Sequence, residues 1–358
     1  MNDTIWPTES SRQDTNNVTT DQSYMTSRSL LRQKLSWDKV TMVLKCSAVL
    51  LICLVGAFGN TLTLAAIRTT PRLWTKSNML LASLVSAELY MTTIQLPYFV
   101  FFDLYVYVFA GNSCDYIKAV TIFFPFSRII NHTIYGQFIV IAVDRYVAIV
   151  YPLHYETKMT VAVIKCMICA PFVLGLTISG IFYSYLRYVN WSSCKSPYPA
   201  VMIAVIVSAV HFTLMLVTVL VYGRILLIAL KHRSKISSIA KSTQETSNPI
   251  SDPAAAVPTG DKIEKQKIKK RLTEFKAARM TAVLVCAYTL PVLPYEIGRI
   301  MQACGNTQPY SVKLLDVGQA IANLNLGFDW IIYGMMNRTF RQAFCRLLKI
   351  KTNNLNSD

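Results

Sequence analysis

Charge is what this chain has least of. Asp, Glu, Lys and Arg make up only 15% of its 358 residues, while 53% are hydrophobic. Soluble domains carry about 25% charged residues, so an ordinary water-soluble domain is excluded. Histidine is scarcer still, with 4 in the chain. An enzyme working inside apolar helices needs His and acids clustered at one depth, and four scattered histidines argue against one. Paired metal motifs are missing too. Cys166-Met-Ile-Cys169 has no second CxxC and sits within an apolar run, so a zinc or redox site is not expected. Acids are few, and the formal charge is +17. The basic residues lie between apolar runs rather than on one face, which argues against nucleic acid as a partner. The first 39 residues hold no apolar core of the signal-peptide kind, so no cleaved leader is expected.

What the chain does have is long apolar runs, and its mean hydropathy is +0.36. A spanning helix needs about 20 mostly apolar residues. Seven runs qualify, near 40–67, 77–102, 116–150, 160–186, 199–230, 277–302 and 311–335. Lipid offers no partners to an open backbone, so each is expected to be a helix. The expectation is an all-α membrane protein with a seven-helix domain over 40–336. A polar tail (1–39) precedes it and an amphipathic helix with a tail (337–358) follows. The segment 231–276, rich in Ser, Thr, Pro and Lys, reads as a flexible linker whose ends extend the flanking helices. No internal repeat or paired broken helix favours a transporter.

Base distribution sets the orientation. Arg68, Arg72 and Lys76 follow the first run, eleven Lys or Arg lie in 231–276, and Arg338, Arg341, Arg346, Lys349 and Lys351 follow the seventh. The opposite connections hold none in 103–114, Arg187 and Lys195 in 187–198, and none in 303–310. Basic loops stay cytoplasmic, so the N-terminus is expected outside, the C-terminus inside and the chain in the plasma membrane. The sequons at Asn2, Asn17 and Asn190 then fall outside as glycosylation candidates, while those at Asn131 and Asn337 fall in a span and inside.

The stretch IAVDRYVAIVYPLHY (141–155) closes the third run with a charged pair. With seven spans and the N-terminus outside, Asp144-Arg145-Tyr146 resembles the rhodopsin-like (class A) G-protein-coupled receptors over about residues 40–350. PLHYETKMT resembles the segment after DRY in olfactory and some amine receptors. Gly59-Asn60, LLASLVSAEL (80–89), LPVLPY (290–295) with Pro294 as the kink proline, and Ile331-Ile332-Tyr333 add to the likeness. NRTFRQAFCRLL is similar to the family's surface helix, with Phe340, Phe344 and Leu347–Leu348 expected to face lipid and Cys345 placed for palmitoylation. An arginine at mid-bilayer costs roughly 2.5–3.5 kcal/mol on insertion scales, but at a helix end Arg145 can snorkel and pair with Asp144. It is either a stop-transfer anchor or, as the resemblance implies, a resting clasp that later meets a G protein and Tyr222 or Tyr333.

The resemblance implies an extracellular ligand, a heterotrimeric G protein, lipid contacts, an opening for arrestin, and no cofactor. It implies a Cys114–Cys194 bridge, with Cys304 as competitor. It also implies a polar core of Asn60, Glu88, Asn325 and Asp329 that holds sodium or shares a proton, or else acts as plain interhelical glue. Ser127 stands where amine receptors carry aspartate, and Asn323 where opsins carry lysine. Arg128, His132, His211, Val292, Tyr295, Glu296 and Arg299 complete the ligand-pocket candidates, with Arg128 and Glu296 facing each other as a structural ion pair or as one that a polar or zwitterionic ligand splits. The chain departs from the family at Glu88 (usually Asp), Asp329-Trp330 (usually Asn-Pro), Val292 (usually Trp) and Leu214 (usually Pro), and in the fourth run, which lacks its tryptophan. A chemosensory receptor is expected, with a peptide or other small-molecule receptor as the alternative. Peptide mapping without reductant should recover a Cys114–Cys194 cross-linked pair.

Overall fold

The computed structural model describes residues 39–109, 113–188, 208–228, 259–304 and 308–350, with positions 206 and 231 besides. Nearly all of the expected tail 1–39 and most of the linker 231–276 lie outside them. Every regular element among the described residues is helical. They are α1 (Lys39–Thr69), α2 (Lys76–Tyr90), α3 (Leu96–Phe109), α4 (Ser113–Val150), the short α5 (Tyr155–Lys158), α6 (Val161–Tyr188), α7 (Ser208–Ile228), α8 (Thr259–Ala303), α9 (Pro309–Met336) and α10 (Arg338–Leu347).

Local chemistry sets the boundaries. Thr75 caps α2 by accepting the Asn78 backbone N–H at 3.2 Å, after a 3-10 turn that begins at Pro71. A π-helical turn, Met91–Gln95, joins α2 to α3 within the second span. Pro97 just beyond it has no N–H to close on the carbonyl of Thr93, so the helix widens there. The Thr92 and Thr93 hydroxyls turn back to carbonyls of the preceding turn, Thr93 to Leu89 at 2.7 Å. Asn337 ends α9 and starts α10, its side chain accepting the Thr339 and Phe340 N–H groups at 2.9 and 3.4 Å.

Six described helices have the length and apolarity to cross a bilayer. The seventh long helix, α9, is more polar because Gln319, Asn323, Asn325 and Asp329 lie along it. It packs against α8 and α1, so those groups meet protein rather than lipid. α6 lies on the outside, with Val173, Leu174, Leu176 and Ile181 exposed as a lipid-facing surface would be. α8 is longer than the apolar run at 277–302 and begins at Thr259, so the expected extension of the sixth helix is present. Polar groups tie the helices together. Gln137 on α4 donates to Ser83 on α2 at 2.9 Å and to the Ile168 carbonyl on α6 at 3.1 Å. Lys45 on α1 pairs with Asp316 on α9 at 3.6 Å.

One expectation is corrected. Phe340 and Phe344 on α10 do not face lipid. Both are buried, Phe340 against Tyr333 at 5.8 Å and Phe344 against Trp330 at 6.4 Å between ring centroids. An amphipathic helix has one apolar stripe, and α10 spends most of it on α1 and α9. Leu348 stays exposed.

Gly59 on α1 lies directly against the Trp330 indole, and a Cβ there would fall inside the ring. Trp330 also meets Phe58 edge-on at 5.8 Å and donates to the Gly327 carbonyl at 2.8 Å. Overpacking a filled interface costs about 1–3 kcal/mol. Gly59→Ala should therefore lower the thermal stability of the purified protein, and Gly59→Ala with Trp330→Ala should recover part of the loss.

Candidate functional site

The predicted residues fall into three groups along the bundle. At the first, α4 ends in a buried ion pair. Arg145 Nη2 and Nε reach Asp144 Oδ2 at 2.6 and 3.0 Å, and both side chains are almost fully buried. The sequence offered the pair, but the structure adds what holds it. Ser77 on α2 donates to Asp144 Oδ2 at 2.7 Å, and the Tyr155 hydroxyl on α5 donates to Oδ1 at 2.7 Å. Arg145 Nη2 also donates to Ser77 Oγ. Burial, and then the Asp144 carboxylate beside it, hold the Tyr155 phenol above its ordinary pKa, so it keeps the proton it donates. Lys76 and Glu156 close the outer edge at 2.6 Å, an exposed pair of small worth. Tyr155 was visible in the PLHY motif and Ser77 lies beside the basic Lys76, but neither position announces a bond to an acid 67 residues away for Ser77.

The other residues named for this end are placed differently. Tyr146 packs edge-on against Tyr151 at 6.3 Å and bears on loop packing. Tyr222 and Tyr333 are buried, and their hydroxyls have no hydrogen-bond partner among the described residues. Such orphaned groups are costly unless a second state uses them.

The second group lies midway. Asn60, Glu88 and Asp329 are buried, and the carboxyl groups of Glu88 on α2 and Asp329 on α9 are near enough to act on each other's charge. Both Glu88 oxygens, Asp329 Oδ1 and both amide atoms of Asn60 have no hydrogen-bond partner among the described residues. Two carboxyl groups and an amide oxygen are the hard donors a sodium ion takes, so the residues fit the expected core. Asn325 is turned away, donating to the Tyr288 carbonyl on α8 at 3.1 Å. No cluster of three or more His, Cys, Asp or Glu suited to a metal ion occurs among the described residues.

The third group surrounds a cavity at the opposite end from Arg145. Of the predicted residues, Ser127, Arg128, His211, Val292, Tyr295, Glu296 and Asn323 line it, while His132 and Arg299 stand behind that lining. Glu296 and Arg128 were expected to face each other as an ion pair. Both line the cavity, and Glu296 Oε1 also meets His211 Nδ1 at 3.3 Å and Arg299 Nη1 at 3.5 Å. Arg299 lies over the Tyr295 ring at 5.5 Å. The His132 and His211 rings meet at a tilt 4.7 Å apart, and Tyr135 stacks on His211 at 4.5 Å. Tyr135 and Tyr288, which line the cavity, are aromatic residues in apolar runs, with nothing in their spacing to set them apart from core.

Several named positions fall elsewhere. The Cys114 side chain, Cys194, Asn2, Asn17 and Asn190 lie outside the described residues. Cys345 is a half-buried free thiol on α10, and Cys304 is free and exposed.

The profile of the family "7 transmembrane receptor (rhodopsin family)" matches residues 59–333. The chain belongs to that family. It is therefore a seven-helix membrane receptor that takes an extracellular ligand and couples to a G protein, and not an enzyme. It is 25% identical over 300 residues to mouse "Trace amine-associated receptor 6", covering 80% of each chain. It is 26% identical over 343 residues to "Probable G-protein coupled receptor No18" of Amphibalanus amphitrite, covering 84% of this chain and 88% of that one. Human "Trace amine-associated receptor 9" is 26% identical over 274 residues, covering 73% and 72%. All are distant relatives.

A hydrogen bond to a charged group contributes about 1.5–3 kcal/mol, and 1.4 kcal/mol is tenfold in an equilibrium. Ser77→Ala and Tyr155→Phe should each loosen the Arg145–Asp144 pair and raise ligand-free signalling several-fold at matched surface expression. The double substitution should exceed either alone.

Proposed function

We propose that this receptor is a chemosensory sensor of small polar molecules in the plasma membrane, with the Arg145 end facing the cytoplasm and the cavity at Arg128 and Glu296 facing outward. One observation carries the reading. The buried Arg145–Asp144 pair, pinned by Ser77 and Tyr155, stands at one end of the bundle, and a cavity with charged and aromatic walls stands at the other. The basic connections all adjoin the Arg145 end, which supports the orientation. The PLHYETKMT stretch supports the chemosensory reading. The trace-amine relatives favour a small-molecule ligand, but Ser127 supplies no counterion on the third helix for an amine.

The transmission path runs through α8. It is one continuous helix of 45 residues, with Pro291 and Pro294 beside the cavity-lining Val292, Tyr295 and Glu296. A ligand that binds one α8 position better than the other shifts the equilibrium between them, and the G protein shifts it reciprocally. When α8 moves away at the cytoplasmic end, Arg145 leaves Asp144 and the unpaired Tyr222 and Tyr333 hydroxyls gain a partner. Between the two ends, Asn60, Glu88 and Asp329 hold sodium or share a proton in the resting state. α10 lies on the cytoplasmic lipid surface with Cys345 as its acylation site, and the same inner face serves arrestin.

Nucleotide exchange on purified G protein is the direct test. Wild-type receptor should stimulate exchange, and Arg145→Ala should reduce it to the receptor-free rate. Exchange unaffected by Arg145→Ala would overturn the reading. Glu88→Gln with Asp329→Asn should remove the sodium and pH sensitivity of that signal, and retention of both would exclude the polar core.

A further inference from the structure

We infer that the cavity is built for a small zwitterion, whose carboxylate is taken by Arg128 on α4 and whose ammonium is taken by Glu296 on α8. This rests on the receptor reading above and narrows its ligand to a chemical class.

The charge around the cavity supports the carboxylate. Two guanidinium groups, Arg128 and Arg299, accompany the single carboxylate of Glu296. Arg128 is buried and lines the cavity, so its guanidinium is part of the wall that a ligand meets. A planar carboxylate matches the fork of a guanidinium.

The unmet hydrogen-bonding groups support the ammonium. Glu296 Oε1 is engaged by His211 and Arg299, but Oε2 is buried and has no partner among the described residues. Because His211 Nδ1 meets a carboxylate oxygen, that nitrogen carries the proton in the neutral ring, and Nε2 is then an acceptor. Nε2 also has no partner among the described residues. Two buried acceptors on residues that line the same cavity are matched by a group with several N–H donors and no acceptor, which is an ammonium. A ligand with only a carboxylate would leave both unmet.

The rest of the wall gives the ligand's body. Met91, Leu96, Phe99, Val292 and Leu326 are apolar, with Ser127 and Asn323 at the polar side. An amino acid with an apolar or aromatic side chain presents the three features together.

The test uses matched probes on purified full-length receptor in detergent. Each of the common amino acids is compared with its decarboxylated amine and its deaminated acid, for example phenylalanine and its two counterparts. Binding is read as the ligand-induced rise in Tm, which needs no G protein. At least one zwitterion should stabilise the wild type with an affinity about tenfold or more above both counterparts. Arg128→Gln should weaken that zwitterion to the level of its amine, and Glu296→Gln to the level of its acid. If either variant fails to fold, Arg128→Lys or Glu296→Asp takes its place and should keep the preference at reduced affinity. The inference is overturned if an amine or an acid binds as tightly as its zwitterion, or if no amino acid in the panel shifts Tm. Arg145-dependent nucleotide exchange separates the two failures. If it persists, the receptor reading stands and only the ligand class falls.

Discussion

Hydrocarbon has no hydrogen-bond partners to offer, and this constraint arranges the whole molecule. Each polar side chain on a spanning helix must be satisfied by another helix. In this chain the polar groups collect on the inward faces of α2, α4, α8 and α9, while the periphery of α1, α6 and α7 is left to Leu, Ile, Val and Phe. α9 shows the rule most clearly. With Asn323, Asn325 and Asp329 along it, it is too polar to face lipid and is taken up between α1 and α8. Gln137 shows it again, joining three helices with one amide.

The three polar groups differ in how completely they are satisfied, and that difference carries the function. The Asp144 carboxylate is saturated, with Arg145, Ser77 and Tyr155 on its two oxygens. A saturated buried charge is a stable resting state. The Glu88–Asp329–Asn60 group and the Glu296 face of the cavity keep acceptors without hydrogen-bond partners among the described residues. Trp330 packs against Gly59 on α1 and meets Phe344 on α10. The departure from the family thus has a local structural meaning, since the indole fills the space that Gly59 leaves open.

The cavity explains how a family member can lack the usual features. Val292, Tyr135 and Tyr288 line the cavity together, the two tyrosine rings meeting edge-on with centroids 5.5 Å apart. Ser127 removes the third-helix acid, and Glu296 places a carboxylate on the sixth helix instead. The cavity's charged walls therefore come from Arg128 on α4 and Glu296 on α8.

The sequence by itself determined the class and gave an expectation for its orientation. Seven apolar runs, DRY at a helix end and bases concentrated on alternate connections are one-dimensional properties. They follow from the thickness of a bilayer and the cost of moving charge through it, so they can be read without coordinates. The Asp144–Arg145 pair was legible because its members are adjacent. Only the tertiary structure decided the partners across helices: Ser77 and Tyr155 on Asp144, His211 and Arg299 on Glu296, Asn325 on the Tyr288 carbonyl. It also decided that Phe340 and Phe344 belong to the core. Periodicity reports that a helix has an apolar face, but lipid and protein interior are equally apolar. Which of them that face meets depends on where the neighbouring helices stand.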